Sequence, residues 1–289
     1  MSTCRGVCSM FRYQGKAWEE RFLPRLTSLQ IKQLQKEDAL VILPVGAIEQ
    51  HGWHLPVMTD TLIGEDLMTR TMELLPEEAN VWLLPPVPYG KSNEHLDFAG
   101  TFSLSSTTLM HVLNDIGASL KRNGFRRLLL FNTHGGNVDL LNVAARDLRA
   151  STGLTVFYVN PHSLDAASDL VSAEEEAYGI HGGDIETSML MAIKPSWVHE
   201  ELRVSEIPDV TELEYLTLEG KIRFAWLMSD ISHSGIAGDA TKASAEKGEI
   251  MMQQSARKLA KALQELCRFE IERVLPKIKH PHDFDNRIS

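Results

Sequence analysis

The stretch LPVGAIEQHGWHLPVMTD, residues 43–60, says more about fold and chemistry than any other part of the chain. It begins inside an apolar run, residues 39–44, which predicts a buried strand. A loop marked by Gly and Pro follows and holds four side chains that can bind a metal: Glu49, His51, His54 and Asp60. In α/β proteins, ligands bind outside the carboxyl ends of parallel strands. The stretch therefore predicts a strand of a parallel sheet with half of a metal site at its end.

Apolar runs and helical patterns alternate along the chain from residue 38 onward. Short apolar runs predict strands at 39–44, 81–84, 127–131 and 155–159. Apolar positions three and four residues apart predict helices at 61–75, 105–123, 137–152 and 241–274. Strands that alternate with helices of this length predict an α/β fold, with a mainly parallel sheet and helices on both faces.

The pattern also suggests domain limits. It is weak over the first 35 residues and again in the polar stretch from 195 to 232. No repeat, low-complexity tract or linker divides the remainder. We expect an N-terminal arm at 1–35, a single domain at 36–275 and a C-terminal tail at 276–289.

Composition and charge exclude several functional classes. The 289 residues are 43% hydrophobic and 24% charged, as in an ordinary globular protein. A net charge of −10 argues against a nucleic-acid binder, which needs a concentrated basic surface. No apolar run reaches the roughly 18–20 residues that cross a bilayer, and the first residues lack the apolar part of a secretory leader. Because Cys4, Cys8 and Cys267 form no disulfide framework, we expect a cytoplasmic protein without a membrane partner.

Three further segments place reactive side chains beside glycines. NTHGGN, residues 132–137, follows the third predicted strand and presents His134 at its carboxyl end. HGGDIETS, residues 181–188, precedes an apolar helix and contains His181 and Glu186. PYGKSNEH, residues 88–95, lies in the long loop after the second strand. Because the loops after parallel strands converge on one crevice, we expect these segments to complete the metal site.

Taken together, these motifs resemble those of the creatininase (creatinine amidohydrolase) family. The resemblance rests on EQHG at 49–52, LP at 55–56, TD at 59–60, NTHGGN at 132–137 and ETS at 186–188. SGIAGD at 234–239 and EKGE at 246–249 also match, so that the resemblance covers about residues 40–263. It implies a three-layer α/β/α sandwich, two divalent metal ions per chain and a homo-oligomer, often a hexamer.

The resemblance also implies a set of metal ligands. Matched position by position, Glu49, Asp60 and His134 hold one ion. His51 and Asp60 hold the other, and Asp60 bridges the two. His54 stays open as a further ligand.

One position departs from the creatininases proper. Those enzymes have a glutamate ligand two residues after the strand-end histidine, where this chain has Gly136. Glu186 then becomes the expected fifth ligand. The resemblance therefore places the chain among the members with the His-Gly-Gly-Asn motif and puts creatinine in doubt as its substrate.

The chemistry of the ligand set agrees with a hydrolase. Imidazole and carboxylate ligands without thiolate suit Zn²⁺, Mn²⁺ or Fe²⁺. Two such ions lower the pKa of a shared water and supply hydroxide near neutral pH. His181 resembles the family's acid/base histidine, and we expect it to protonate the leaving nitrogen. Six side chains near the site are expected to line the substrate: Trp53, Tyr89, Ser92, Glu94, His95 and Tyr178.

The sequence thus predicts a metal-dependent amidohydrolase that cleaves a C–N bond of a small cyclic amide or a formamide. Two alternatives stay open. The same metal site suits a hydrolase that opens a cyclic diketone at a C–C bond, as in inositol breakdown, and the ligands do not separate the two reactions. A non-catalytic binding or assembly protein of the same fold is the other alternative, but the retention of every expected ligand argues against it.

Overall fold

Four parallel strands form the central sheet. A computed structural model describes residues 14–164, 169–210, 213–220 and 222–275. The strands, in the spatial order β2-β1-β3-β4, are β1 (Leu40–Val45), β2 (Val81–Leu83), β3 (Arg127–Asn132) and β4 (Thr155–Val159). Every residue of β1 is buried, as expected for an apolar strand whose two faces are both covered. β1 pairs with β3 along its whole length, and these two strands form the centre of the sheet.

Nine helices and four short strands lie outside the central sheet in the described chain. The helices are α1 (Lys16–Glu19), α2 (Ser28–Gln33), α3 (Thr59–Glu73), α4 (Ser106–Arg122), α5 (Val138–Thr152), α6 (Ala173–Tyr178), α7 (Asp184–Ile193), α8 (Met228–Ile231) and α9 (Ala245–Arg268). The stretch from 195 to 232, which has no clear sequence pattern, contains three two-residue strands: β5 (Ser205–Glu206), β6 (Leu216–Thr217) and β7 (Ile222–Arg223). β5 pairs with β8 (Gly238–Asp239), and β6 pairs with β7.

The helices cover both faces of the sheet and give three layers. Leu40 and Ile42 of β1 pack with α3, α7 and α9 on one face. The alternate residues Val41 and Leu43 pack with α4 and α5 on the other face. The chain leaves β1 towards β2 through α3, but it leaves β3 towards β4 through α5 on the opposite face. Such a divergence between neighbouring strands opens a crevice at their carboxyl ends, and the loops that carry the candidate ligands meet there.

The predicted fold class is confirmed, and one helix differs clearly from its predicted bounds. The helix expected at 241–274 is shorter, because Ala240–Lys242 forms a 3-10 turn and Ser244 caps the start of α9. The Ser244 hydroxyl accepts a hydrogen bond from the Lys247 N–H at 3.3 Å. The helix ends at Arg268, and Ile271–Arg273 forms a separate 3-10 turn. Capping side chains therefore set the helix bounds more sharply than apolar spacing does.

The part of the expected N-terminal arm that the structure describes packs onto the domain. Ala17 and Trp18 are buried with α3, and the Trp18 indole N–H donates to the Thr69 hydroxyl at 3.0 Å. Cys4, Cys8 and the expected tail at 276–289 lie outside the described residues. Cys267 is a free, partly buried thiol. Among the described helices, none is both long and apolar enough to span a bilayer.

Candidate metal centre

Five predicted ligands converge where β1 and β3 end. Glu49 and His51 lie in the loop after β1, and Asp60 lies in the first turn of α3, into which that loop leads. His134 follows β3 directly and precedes a 3-10 turn, Gly135–Asn137. Glu186 lies in the first turn of α7. These elements surround the crevice, so residues 137 positions apart in sequence become neighbours in space.

The ligand atoms form two trios that share Asp60. In the first, His134 Nδ1 lies 3.2 Å from Glu49 Oε1 and 3.3 Å from Asp60 Oδ2. In the second, His51 Nε2 lies 3.2 Å from Asp60 Oδ1 and 3.7 Å from Glu186 Oε2. Each oxygen of the Asp60 carboxylate therefore faces a different trio.

The two trios are buried and strongly coupled by charge. Glu49, His51, Asp60 and His134 are each at most 4% exposed. Burial alone would lower the pKa of His51, but the carboxylates of Asp60, Glu186 and Glu49 raise it to about 10. The pKa of His134 is likewise raised well above its usual value, against the effect of burial, by Glu49 and Asp60. The pKa of Asp60 is lowered, although burial opposes this, because His51 and His134 lie beside it.

Hydrogen bonds to backbone carbonyls determine which nitrogen of each ligand histidine faces the carboxylates. Because a carbonyl oxygen only accepts, His51 must donate from Nδ1 to the Glu49 carbonyl at 3.1 Å. His134 must donate from Nε2 to the Lys91 carbonyl at 3.0 Å. The neutral form of each ring, which is the form that binds a metal, therefore keeps its proton on this donating nitrogen and turns its unprotonated nitrogen towards Asp60. Metal-binding histidines in proteins are oriented in this way.

His181 is oriented by the same kind of contact. Its Nε2 donates to the Gln50 carbonyl at 2.7 Å, so the unprotonated Nδ1 faces Glu49 Oε1 at 3.7 Å. Burial and then the neighbouring His51 lower the pKa of His181 to about 3. The ring is neutral near pH 7, with a free proton-accepting atom directed at the ligand cluster.

The other predicted histidine, His54, lies apart from the two trios. Its Nε2 is 2.8 Å from the Thr187 hydroxyl, which in turn donates to the Gly182 carbonyl. The ring is fully buried, and burial lowers its pKa to about 4. In the described part of the chain, His54 belongs to none of the groups of side chains spaced to share a metal. We therefore do not include it among the candidate ligands.

The residues expected to line the substrate fall into two sets. Ser92, Glu94 and His95 lie beside the ligands: the Ser92 hydroxyl is 3.2 Å, and Glu94 Oε1 is 3.5 Å, from His134 Nε2. Trp53 and Tyr89 are 59% and 48% exposed, and neither lines the cavity next to the ligands.

That cavity has a volume of about 570 Å³ and lies against His181 and Glu186. Tyr178 lines it, and Ile185, Met189 and Leu218 give it an apolar wall. The volume is within the usual range for sites that bind small molecules.

Comparison with known proteins identifies the family to which this site belongs. The family model described as creatinine amidohydrolase matches residues 24–263. The chain belongs to the creatininase family. A creatininase-family relative from Mycolicibacterium smegmatis, named mycofactocin precursor peptide peptidase, is 34% identical over 221 residues, which are 75% of this chain and 81% of the relative. The creatinine amidohydrolase of Pseudomonas putida is 32% identical over 245 residues, 79% of this chain and 90% of that protein.

Two further comparisons bear on chemistry. A solved structure titled as the manganese form of creatininase is 27% identical, with a TM-score of 0.66 over 86% of this chain and 99% of its own. A protein from Thermotoga maritima named 3-dehydro-scyllo-inosose hydrolase is 26% identical over 251 residues, 79% of this chain and 78% of its own. The family and the predicted enzyme class are thereby confirmed: this creatininase-family chain is a metal-dependent hydrolase.

The creatininase-family site of this chain fits divalent metal ions on structural grounds. Two buried carboxylate oxygens, Glu49 Oε2 and Asp60 Oδ2, have no hydrogen-bond partner. Buried polar atoms without partners are rare and costly unless an ion or water completes them. The donors are nitrogen and oxygen only, which suits Zn²⁺, Mn²⁺ or Fe²⁺.

Sequence reasoning missed two residues of this site. Gln50 lies between two candidate ligands, is 4% exposed and contacts His95 and Gly235. Its only sequence signal is its position in the EQHG motif. Trp226 packs its edge against His95, with the ring centroids 6.5 Å apart, and comes from the segment whose pattern is weak. No sequence signal identifies it.

Proposed function

We propose that this chain is a dinuclear metal amidohydrolase that cleaves a C–N bond of an amide. One observation supports the dinuclear arrangement above all others. The carboxylate of Asp60 joins two trios of ligand atoms, with Oδ1 at 3.2 Å from His51 and Oδ2 at 3.3 Å from His134. Glu49 would complete the set for one ion and Glu186 the set for the other.

The protein's own groups supply orientation and proton transfer. Bound divalent ions would contribute Lewis acidity towards the amide carbonyl and would make a nearby water more acidic. His181 is held by the Gln50 carbonyl so that Nδ1 stays unprotonated and faces Glu49. This atom takes up a proton during attack on the amide and returns it to the leaving nitrogen. Burial of the ligands excludes bulk water and strengthens each of these electrostatic contacts.

The size of the cavity bears on the substrate. Small cyclic amides and formamides are the substrates that the motifs suggest, but a volume of about 570 Å³ has room for a larger amide with an apolar substituent. The relatives named as peptide peptidases also support an amide of peptide type. We therefore place short apolar peptides beside creatinine and formamides in the set of substrates to test.

Metal content and product analysis together test the proposal. We expect about two divalent ions per purified chain and hydrolysis of at least one amide of the set, seen as released ammonia or amine for an acyclic amide and as a ring-opened carboxylate for a cyclic one. Asp60→Asn should remove most of the metal and nearly all activity, because both trios lose their shared carboxylate. Asp66→Asn is the matched control, since Asp66 lies on the same helix but pairs with Arg70 outside the site. Full activity in Asp60→Asn, or metal loss equal in both variants, would contradict the assignment.

A hydrolase that opens a cyclic diketone at a C–C bond is the second candidate function. The relative named 3-dehydro-scyllo-inosose hydrolase supports it, and the same ligands suit the reaction. Product analysis separates the two, because amide hydrolysis gives a carboxylate and an amine or ammonia, which stay in one molecule when the amide is cyclic, whereas diketone hydrolysis gives a carboxylate and a ketone. Two metals per chain, no hydrolysis of any amide and turnover of a cyclic diketone would favour this second function.

A further inference from the structure

The side chain of Gln50 is held in one orientation by two backbone groups. Its Oε1 accepts a hydrogen bond from the Gly52 N–H at 2.9 Å, and its Nε2 donates to the Gly235 carbonyl at 2.7 Å. If the amide oxygen and nitrogen were exchanged, the nitrogen would face the Gly52 N–H and the oxygen would face the Gly235 carbonyl, so neither hydrogen bond could form. The amide orientation is therefore fixed by the hydrogen-bond pattern.

This orientation fixes the tautomer of His95. Gln50 Nε2 also lies 2.9 Å from His95 Nδ1 and 3.2 Å from His181 Nε2. Because His181 Nε2 donates its proton to the Gln50 carbonyl, it does not accept, and the second hydrogen of the amide goes to the nearer His95 Nδ1. His95 Nδ1 must therefore accept, and the ring proton must lie on Nε2. That N–H faces Glu49 Oε1 at 3.6 Å.

His95 differs in this respect from the other imidazoles near Glu49. In their neutral forms, His134 and His181 both turn an unprotonated Nδ1 towards Glu49 Oε1, at 3.2 and 3.7 Å. Of these three neutral rings, His95 is the one that turns an N–H towards the same oxygen. Its ring is held in place by stacking on His181, with centroids 4.2 Å apart, and by the edge of Trp226. A protonated nitrogen cannot bind a metal, but it can hydrogen-bond the carboxylate that does.

We propose that Gln50 and His95 form an outer hydrogen-bonding pair that orients Glu49 as a metal ligand. Gln50 fixes His95 with its proton on Nε2, and this N–H closes onto Glu49 Oε1 when the carboxylate turns to the ion. Both are positioning residues. The inference rests on the proposed function, because it takes Glu49 to be a ligand. Outer partners of this kind typically change metal affinity 10–100-fold when removed.

Two substitutions of His95 test whether the ring acts as a hydrogen-bond donor to Glu49 or only fills space. His95→Gln can place an amide N–H near the position of Nε2, whereas the shorter His95→Asn reaches only the position of Nδ1. We expect His95→Asn to bind zinc roughly 10–100-fold more weakly in competition with a chelator. His95→Gln should recover most of that loss. Equal weakening in both variants would overturn the donor role.

A spectroscopic readout tests the tautomer directly. In long-range ¹H–¹⁵N spectra of the zinc-loaded protein, His95 should carry its proton on Nε2 and leave Nδ1 free. Gln50→Met should lose this fixed tautomer and weaken zinc binding about as much as His95→Asn does. A wild-type His95 with an unprotonated Nε2 would overturn the inference by making the residue a ligand. If the wild type binds zinc and His95→Asn binds it equally well, the inference fails alone; if the wild type binds no metal, the proposed function fails with it.

Discussion

Two neighbouring glycines give a sharp test of the packing behind His134. A Cβ atom added to Gly136 would fall far inside contact distance of Glu94 Oε1, and 2.6 Å from both His134 Nε2 and the Lys91 carbonyl oxygen. A Cβ added to Gly135 would meet only Glu219 Oε1, at an ordinary 3.7 Å. Neither glycine has a positive φ, so alanine strains the backbone at neither position. Gly135→Ala is therefore a matched control for Gly136→Ala.

The contacts set the size of the expected effect. Glu94 could rotate away, but the Lys91 carbonyl is backbone and the His134 ring is hydrogen-bonded to it. Forcing an atom into such packing costs about 1–3 kcal/mol. Both variants share the gain of up to about 1 kcal/mol that Gly→Ala gives by restricting the unfolded chain. The difference between them therefore isolates the clash.

Thermal unfolding of the metal-free proteins measures that difference. Melting temperatures fall by roughly 2–4 °C per kcal/mol in domains of about 150–250 residues, so Gly136→Ala should melt several degrees below Gly135→Ala. Gly136→Ala should also bind zinc more weakly, because the displaced His134 moves Nδ1 away from Glu49 and Asp60. Adding Glu94→Ala to Gly136→Ala should recover only part of the loss. Equal melting temperatures and equal zinc affinities for the two alanine variants would refute the reasoning.

Three further predictions follow from single side chains. Glu186→Gln should lower the metal content from about two ions per chain towards one, because Glu186 belongs to the trio with His51 and not to the trio with Glu49. Two ions per chain in this variant would mean that another group completes the second site. Glu175→Gln should lower the free energy of unfolding by about 1–3 kcal/mol. The buried carboxylate accepts hydrogen bonds from the backbone N–H groups of Asp184 and Asp239, one on each oxygen, and an amide can accept only one of them. Chemical denaturation measures this loss, and an unchanged midpoint would contradict it. The pKa of Glu206 is lowered, although burial opposes this, by hydrogen bonds from Ser232, His233 and Ser234. Its contribution to stability is therefore present above its ordinary pKa of 4.5 and is lost as the pH falls through the lowered value. Melting temperature should decline less steeply with falling pH in Glu206→Gln than in the wild type, and identical slopes would contradict the assignment.

Sequence reasoning succeeded where the chemistry lies next to regular elements. Glu49, His51 and His134 follow strands whose apolar runs are unmistakable, and the carboxyl ends of neighbouring parallel strands must meet. Asp60 and Glu186 lie in first helical turns, where acidic residues are favoured by the helix dipole. For Glu186 this ordinary explanation made the ligand role depend on family resemblance until the structure placed the side chain beside His51, whereas Asp60 is a candidate from its place beside Glu49 and His51 in residues 43–60.

The sequence was a poor guide wherever a position is defined by distant contacts. Glu94 is 42 residues from Gly136, yet its carboxylate fills the space that a side chain at Gly136 would occupy. No local pattern records such a relation. Trp53 and Tyr89 lie near the ligands in sequence, but 59% and 48% of their surfaces are exposed and neither lines the cavity beside His181, so their contact with a substrate stays a prediction. Nearness in sequence predicts a shared loop and not a shared direction.

The two ligand trios depend on different parts of the fold. Glu49, Asp60 and His134 all come from the junction of β1, α3 and β3, whose strands pair over six residues. Glu186 comes from α7, whose first turn is held by the Glu175 carboxylate and whose later turns pack closely on α9. A disturbance of α7 can therefore displace Glu186 while the first trio keeps its geometry. We accordingly expect Glu175→Gln, whose side chain belongs to neither trio, to weaken binding of a metal at the trio with Glu186 more than at the trio with Glu49.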